Sequence, residues 1–256
     1  MNITVLTYES LDSTNTEALK QARLGADEGL CIVARQQSAG RGRHGRIWVS
    51  EKDAGLYFSI ILRPKLDAKF LPLITLMAGI AVHDTLTEIG LKPDIKWVND
   101  VLVNEKKISG ILAETTETNE GVAVILGIGI NLNSTNFPPE IADTATSIDS
   151  ESGAIAIGFR SGSGANAAGD LSETLTKFVT YFYEILTAEN GPAEIISEWR
   201  RRSSYFSGKA VRVSLQNETV TGVTDGLESN GALRLKKIDG TTLIVQTGEV
   251  ERLRAD

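Results

Sequence analysis

Residues 40–46 read Gly-Arg-Gly-Arg-His-Gly-Arg and lie between two apolar runs, Leu30-Cys31-Ile32-Val33-Ala34 and Leu56–Leu62. Glycine has no Cβ and reaches positive φ, so backbone N–H groups in such a loop can come close to a ligand. Each guanidinium stays charged and grips phosphate or carboxylate through two parallel hydrogen bonds. The stretch therefore reads as an anion-holding loop hung between two buried strands. Taken alone, the seven residues equally suit a solvated basic loop, and the rest of the chain has to decide.

The chain has 256 residues, 41% of them hydrophobic and 23% charged, the make-up of a folded globular protein with a sizeable core. Its formal net charge is −7. That balance opposes broad attraction to a polyanion and makes the arginine loop a local exception, suited to a small anionic ligand. One cysteine, Cys31, gives neither an intrachain disulfide nor a cysteine-based metal site, and a reducing cytoplasm is the expected setting. No basic, apolar leader opens the sequence, so no membrane attachment is expected.

Upstream, Asp12-Ser13-Thr14-Asn15-Thr16-Glu17 precedes the helical recurrence of Ala18, Leu19, Ala22 and Leu24, and Thr14 with Glu17 has the spacing of a capping box. Downstream, the proline after Arg63 stops a ladder, and Phe70–Ile89 has the length and apolar recurrence of a buried helix closing at Gly90. Ile95-Lys96-Trp97, Val101-Leu102-Val103, Ile108–Ala113 and Val122–Ile130 read as strands, Leu171–Leu186 as an amphipathic helix, and Pro192 opens a last helix through Trp199. After Ser207-Gly208 the texture turns to short strands, Ala210–Leu215, Val220–Val223, Ala232–Leu235 and Thr242–Gln246, with turn signals at Asn217, Gly226, Asn230-Gly231 and Asp239-Gly240. This end is expected to form a small β-barrel that leans on the larger unit. Ser150–Asp170, rich in Ser, Gly and Ala around Phe159-Arg160, reads as a surface loop or linker.

Taken in order, Asp12-Ser13-Thr14-Asn15, Gln36-Gln37, Gly40–Arg46 with Trp48, Lys96-Trp97-Val98-Asn99-Asp100, Lys106–Glu114 and Gly127–Asn133 resemble the motifs of biotin protein ligases. The Gly222–Leu235 stretch resembles that family's C-terminal barrel. The resemblance implies an α+β fold: a large mixed β-sheet catalytic domain flanked by helices over residues 1–206, similar to lipoate ligases and class II aminoacyl-tRNA synthetases, and a small C-terminal β-barrel over 207–256. It also implies two-step chemistry, in which biotin and MgATP give biotinyl-5′-AMP and a lysine of a biotin carboxyl carrier protein then takes the biotinyl group. Joining a carboxylate to a phosphate brings two anions together, so fixed positive charge is required where they meet.

By resemblance, Arg43, Lys107 and Asp100 are the catalytic candidates, Asp100 orienting the acceptor lysine. Ser13, Thr14, Asn15, Gln37, Gly40, Arg41, Gly42, Arg43, Lys107 and Gly110 would contact biotin; Arg41, Arg43, Trp48, Asn99, Lys107 and Asn131 would contact the nucleotide, with Mg²⁺ near Asn131. His44 stands where many relatives carry arginine and reads as a loop filler; Arg46 has no assigned contact. Val98 stands where many relatives carry proline. The first motif begins by Asp12, which leaves no space for an N-terminal DNA-reading module, so no DNA partner is expected. A homodimer is left open by an exposed strand edge beside the site. Two other readings stand: a lipoate or octanoyl ligase of the same superfamily, disfavoured by the arginine loop and the Lys-Trp-x-Asn-Asp turn, and a non-enzymatic nucleic-acid binder, disfavoured by net acidity and a single Arg-Gly cluster.

Overall fold

Strand β3 (Gly55–Leu62) is buried along its whole length, so both faces of the sheet it occupies are covered. Side chains alternate along a strand, and here they divide between two cores. Leu56, Phe58, Ile60 and Leu62 join the main cluster, while Ile61 joins a smaller one with Ala18, Ala22, Ile32, Ala123 and Ile125. The site lies on the second face. The computed structural model that establishes this describes residues 1–134, 137–152, 164–215 and 218–253.

With β3 run β1 (Thr4–Tyr8), β2 (Leu30–Ala34), β4 (Pro93–Lys96), β5 (Asp100–Val103), β6 (Lys106–Thr118) and β7 (Gly121–Asn131), in the sheet order β1-β2-β3-β7-β6-β5-β4. β1 and β2 are parallel and the remaining neighbours antiparallel, a mixed sheet as expected. Helix α1 (Thr14–Arg23) packs on the site face through Ala18 and Ala22. Helix α2 (Leu73–Glu88) lies on the other face, between the sheet and two later helices. Ala68–Glu88 is long and apolar enough to cross a bilayer, but Leu73, Ile74, Met77, Ile80 and Leu86 are fully buried, which makes α2 a core helix.

Short α3 (Ile148–Glu151) is followed by α4 (Gly164–Thr187) and α5 (Gly191–Arg202). Ser150–Asp170 is therefore not one linker: Ser150 and Glu151 close α3, and 164–170 form the first turns of α4. The rest of α4 favours helix formation there, since Leu171, Leu175, Val179, Phe182 and Leu186 give it a continuous buried stripe to propagate from. The part at 153–163, with Phe159-Arg160, lies outside the described residues, as does the turn residue Asn217.

Two local expectations are corrected. Ser13, not Thr14, is the N-cap of α1 and makes no side-chain cap bond; Glu17 reaches forward to Gln21 at 2.7 Å and Lys20 at 3.3 Å, so no capping box forms. Gly40 and Gly42 do not use positive φ. Only Gly45 (φ 73°) and, without the help of glycine, His44 (φ 55°) turn left-handed, within a short 3₁₀ turn over Arg43–Gly45. Gly40 serves close packing: a Cβ there would lie 2.2 Å from the Trp48 carbonyl oxygen.

The C-terminal unit comprises β8 (Ser207–Ser214), β9 (Thr219–Leu227), β10 (Leu233–Lys236), β11 (Thr242–Val245) and β12 (Glu249–Arg252), antiparallel in the order β11-β10-β9-β8-β12. It does lean on the larger unit. Val211, Val213, Leu233, Leu235 and Val250 belong to the same buried cluster as α2 and the main sheet. Trp97 Nε1 donates to the Gly231 carbonyl at 2.9 Å, and a Cβ on Gly231 would meet Leu73 and Leu76 at 2.9 Å.

Candidate active site

On the α1 face the middle of the sheet is stripped of side chains. Gly127 and Gly129 alternate on β7, and Gly110 of β6 pairs directly with Gly129. A Cβ at Gly127 would lie 2.1 Å from Asn15 Oδ1, at Gly129 2.5 Å from the Trp48 ring, and at Gly110 2.9 Å from that ring. Glycine is required here for space. Asn15 lies down into the Gly127 gap, Trp48 stands over Gly110 and Gly129, and around them opens a cavity of about 750 Å³.

Cations ring that cavity. Lys107 Nζ and Lys96 Nζ bind opposite oxygens of Asp100 at 2.7 and 2.9 Å. Lys96 arrives there because it faces Asp100 across the β4–β5 ladder. Lys107 arrives through a bulge: Asp100 pairs with Gly110 but Leu102 pairs with Lys107, so the register slips between them. Residues three apart on a regular strand face opposite sides; the bulge turns Lys107 and Gly110 to the same one. Burial by itself would raise the Asp100 carboxyl, but Lys107 and Lys96 outweigh it and hold it below the usual carboxylate range. It is an ionised anchor for two ammonium groups. Lys107 Nζ also lies 5.5 Å from the centroid of Trp48, whose buried Nε1–H has no hydrogen-bond partner among the described residues, a cost of about 1–3 kcal/mol.

The arginine loop closes the top. Arg43 donates to Asn99 Oδ1 at 3.1 Å and reaches the Gly248 carbonyl and Thr247 hydroxyl of the C-terminal unit, while Arg46 forms a two-pronged ion pair with Glu249. Arg41 pairs with Glu114 at 2.6 Å. Asn99, in the β4–β5 turn with its cis Trp97–Val98 bond, is held by Nδ2 donating to the Ile111 carbonyl at 3.0 Å. Asn131 donates to the Thr146 carbonyl at 2.9 Å, and the 144–146 backbone runs beside Lys107.

At the N-terminus of α1 the polar residues face inward. Gln37 Oε1 accepts from Thr14 N at 2.8 Å and from the Thr14 hydroxyl at 3.1 Å, while Gln37 Nε2 donates to Ser50, which itself donates to the Trp48 carbonyl. Asn15 Nδ2 donates to Glu114 at 2.9 Å and to the Leu112 carbonyl at 3.3 Å.

Ser13, Thr14, Asn15, Gln37, Arg41, Gly42, Arg43, Trp48, Asn99, Asp100, Lys107, Gly110 and Asn131 all line this one cavity, together with His44 and Arg46. Gly40 does not; it packs under the loop stem. Sequence reasoning passed over Lys96, Glu114, Gly127 and Gly129, although each stands inside a quoted motif, and gave no role to Ser59 or to Thr247–Glu249. Alternate glycines in an otherwise apolar strand were the available signal for the floor. Nothing local marks Ser59 or the C-terminal loop, whose partners lie far away in the chain.

Residues 7–131 match the profile of the Biotin/lipoate A/B protein ligase family, and residues 206–253 that of the Biotin protein ligase C terminal domain. The site thus sits in an acyl-ligase fold. The Bifunctional ligase/repressor BirA of Bacillus subtilis is 35% identical over 91% of this chain and 69% of its own length, and the Biotin--[acetyl-CoA-carboxylase] ligase of Mycobacterium tuberculosis 32% identical over 94% and 86%. Among solved structures, a biotin protein ligase from Aquifex aeolicus in complex with biotin and ATP superposes with a TM-score of 0.81 at 28% identity, covering 98% of this chain and 99% of that one. The chain belongs to the biotin protein ligase family.

Proposed function

We propose that this cavity joins biotin to ATP and passes the biotinyl group to a lysine of the biotin carboxyl carrier protein of acetyl-CoA carboxylase. In the first step a biotin carboxylate oxygen attacks the α-phosphorus of ATP, pyrophosphate leaves, and biotinyl-5′-AMP forms. In the second, the deprotonated acceptor amine attacks the acyl carbon and AMP departs with the electron pair of the broken C–O bond. The observation that carries this reading is the convergence of Lys107, Lys96 and Arg43 around Asp100 and Asn99, beside a head pocket of Thr14, Asn15 and Gln37 in the same cavity.

Lys107 and Arg43 neutralise the charge that builds as carboxylate meets phosphate, each charge-assisted contact contributing on the order of 1.5–3 kcal/mol. Arg41, Gly42 and Gly110 flank the ligand, and Trp48 covers the mixed anhydride against water. Asp100 positions: in giving up Lys107 to the phosphate, it has an oxygen to offer the incoming ammonium before its proton is lost. Among the described residues no group of three or more His, Cys, Asp or Glu is arranged to hold a metal ion. A Mg²⁺ brought with the nucleotide would have Asn131 as its protein neighbour and would supply charge neutralisation at the phosphates. A cytoplasmic setting accords with Cys31, whose thiol is fully buried and pushed up by that burial to about 12.

Pyrophosphate exchange into ATP tests the reading directly. It is expected to require biotin, and incubation with a carrier domain to give a biotinylated lysine; exchange driven by lipoate or octanoate but not by biotin would overturn it.

A further inference from the structure

Ser59 of β3 is fully buried and does not line the cavity, but it touches two residues that do. Its Oγ lies 2.8 Å from Thr14 Oγ1 and 2.6 Å from Asn15 Oδ1, which reaches it through the gap above Gly127. A hydroxyl has one proton and cannot donate to both.

The amide oxygen of Asn15 can only accept, so at 2.6 Å the Ser59 proton lies between the two. Thr14 then gives its own proton either to Ser59 or to Gln37. In both arrangements it is lone pairs of Thr14 Oγ1 and Asn15 Oδ1 that remain for the cavity. The orientation of Gln37 is fixed because its nitrogen is committed to Ser50, so Thr14 always meets an oxygen there. Both donors of Asn15 are likewise committed, to Leu112 and Glu114. In either arrangement the Thr14–Asn15 pair offers the cavity acceptors and no donors.

We propose that Ser59 is a positioning residue that locks this part of the ligand pocket into an acceptor-only state, so that it admits a head group bearing N–H donors and rejects one without them. The inference rests on the biotin reading above and deepens it. A ureido ring brings two N–H groups to such a site; a dithiolane ring or an alkyl terminus brings none and would strand buried acceptors, which discriminates far more strongly than a difference in size. Removing the Ser59 hydroxyl takes away one of the two buried acceptors that hold the Thr14 proton inward, leaving only the longer 3.1 Å contact to Gln37, and leaves the Asn15 oxygen without its buried donor. The site then no longer insists on N–H donors.

Calorimetric titration of the full chain with biotin, and with biotin methylated at one ureido nitrogen, reads this out as a ratio of dissociation constants. The parent is expected to disfavour the methylated ligand by on the order of 100-fold and Ser59→Ala by less than about tenfold, with biotin itself weakened about tenfold in the variant. The KM for biotin rises with it while the KM for ATP holds. Ser59→Cys, which keeps the size and a weak donor, restores part of the ratio and guards against simple misfolding of the alanine variant. An unchanged ratio in both variants, with both ligands weakened alike, overturns the proposal and leaves the activity standing. A parent that binds no biotin overturns both.

Discussion

At the residue scale, the decisive feature is that the cations of the cavity are already partnered. Lys107 and Lys96 hold Asp100, Arg41 holds Glu114, and Arg46 holds Glu249. On the function proposed above, ligand phosphate would exchange partners instead of meeting free charge, and the standing ion pairs would spare the side chains their ordering on binding. Asp100, kept ionised by its two lysines, is a poor base and a good anchor. Asp100→Asn is therefore expected to slow single-turnover transfer from preformed biotinyl-5′-AMP by roughly ten- to a hundredfold through misplacement of the amine. Because Asp100 does not titrate above its lowered range, the rate should rise about tenfold per pH unit between about pH 7 and 9, tracking the acceptor lysine with its unperturbed pKa near 10.4. A parent profile that flattens by pH 7 would sink the anchoring role. The candidate residues were legible in the sequence only as an ordered set of motifs, since the arginine–glycine loop taken alone equally suits a solvated basic loop. Ser59 was not, because a single serine in an apolar strand carries no sign of the two side chains that will reach it.

At the element scale, helices were read well and edges poorly. α2 and α5 are expected from long apolar recurrence and from proline near the start of α5. β1 is exposed along nearly its whole length despite Val5 and Leu6, and β12 is four residues long, so neither has a buried apolar run, and each is held by a ladder to a neighbour. α2 and α5 are clasped by Asp84, whose two oxygens take Arg202 at 2.6 and 2.8 Å. Burial opposes ionisation of Asp84, but His83 and Arg202 overcome it and hold the carboxyl below its ordinary value. The clasp therefore contributes fully above the unfolded pKa near 3.9 and is lost as pH falls through the lower folded value. Asp84→Asn should lower stability by about 2 kcal/mol at pH 7, a fall in Tm of roughly 4–8 °C, and by much less below about pH 3. Thermal melts at the two pH values check this, and an equal loss at both would refute it.

At the scale of the whole molecule, the C-terminal sheet starts with β8 at Ser207, and among the described residues it has no buried cluster separate from the main one. Val211, Leu233 and Val250 share the main cluster, Trp97 is tied to Gly231, and Thr247 to Glu249 reach the arginine loop. Calorimetry is accordingly expected to show one cooperative transition, with calorimetric and van't Hoff enthalpies agreeing. Two resolved transitions would mean that the units unfold independently.

The order of the motifs and the charge that suits an anion were determined by the sequence alone, because each is a property of neighbouring residues. The tertiary structure decided which side chains share a face and a partner. The bulge that turns Lys107 toward Asp100, the gap at Gly127 that lets Asn15 reach Ser59, and the docking of Glu249 on Arg46 all depend on strand register and on contacts between distant segments, and register is fixed only when the whole sheet has paired and both its faces are buried.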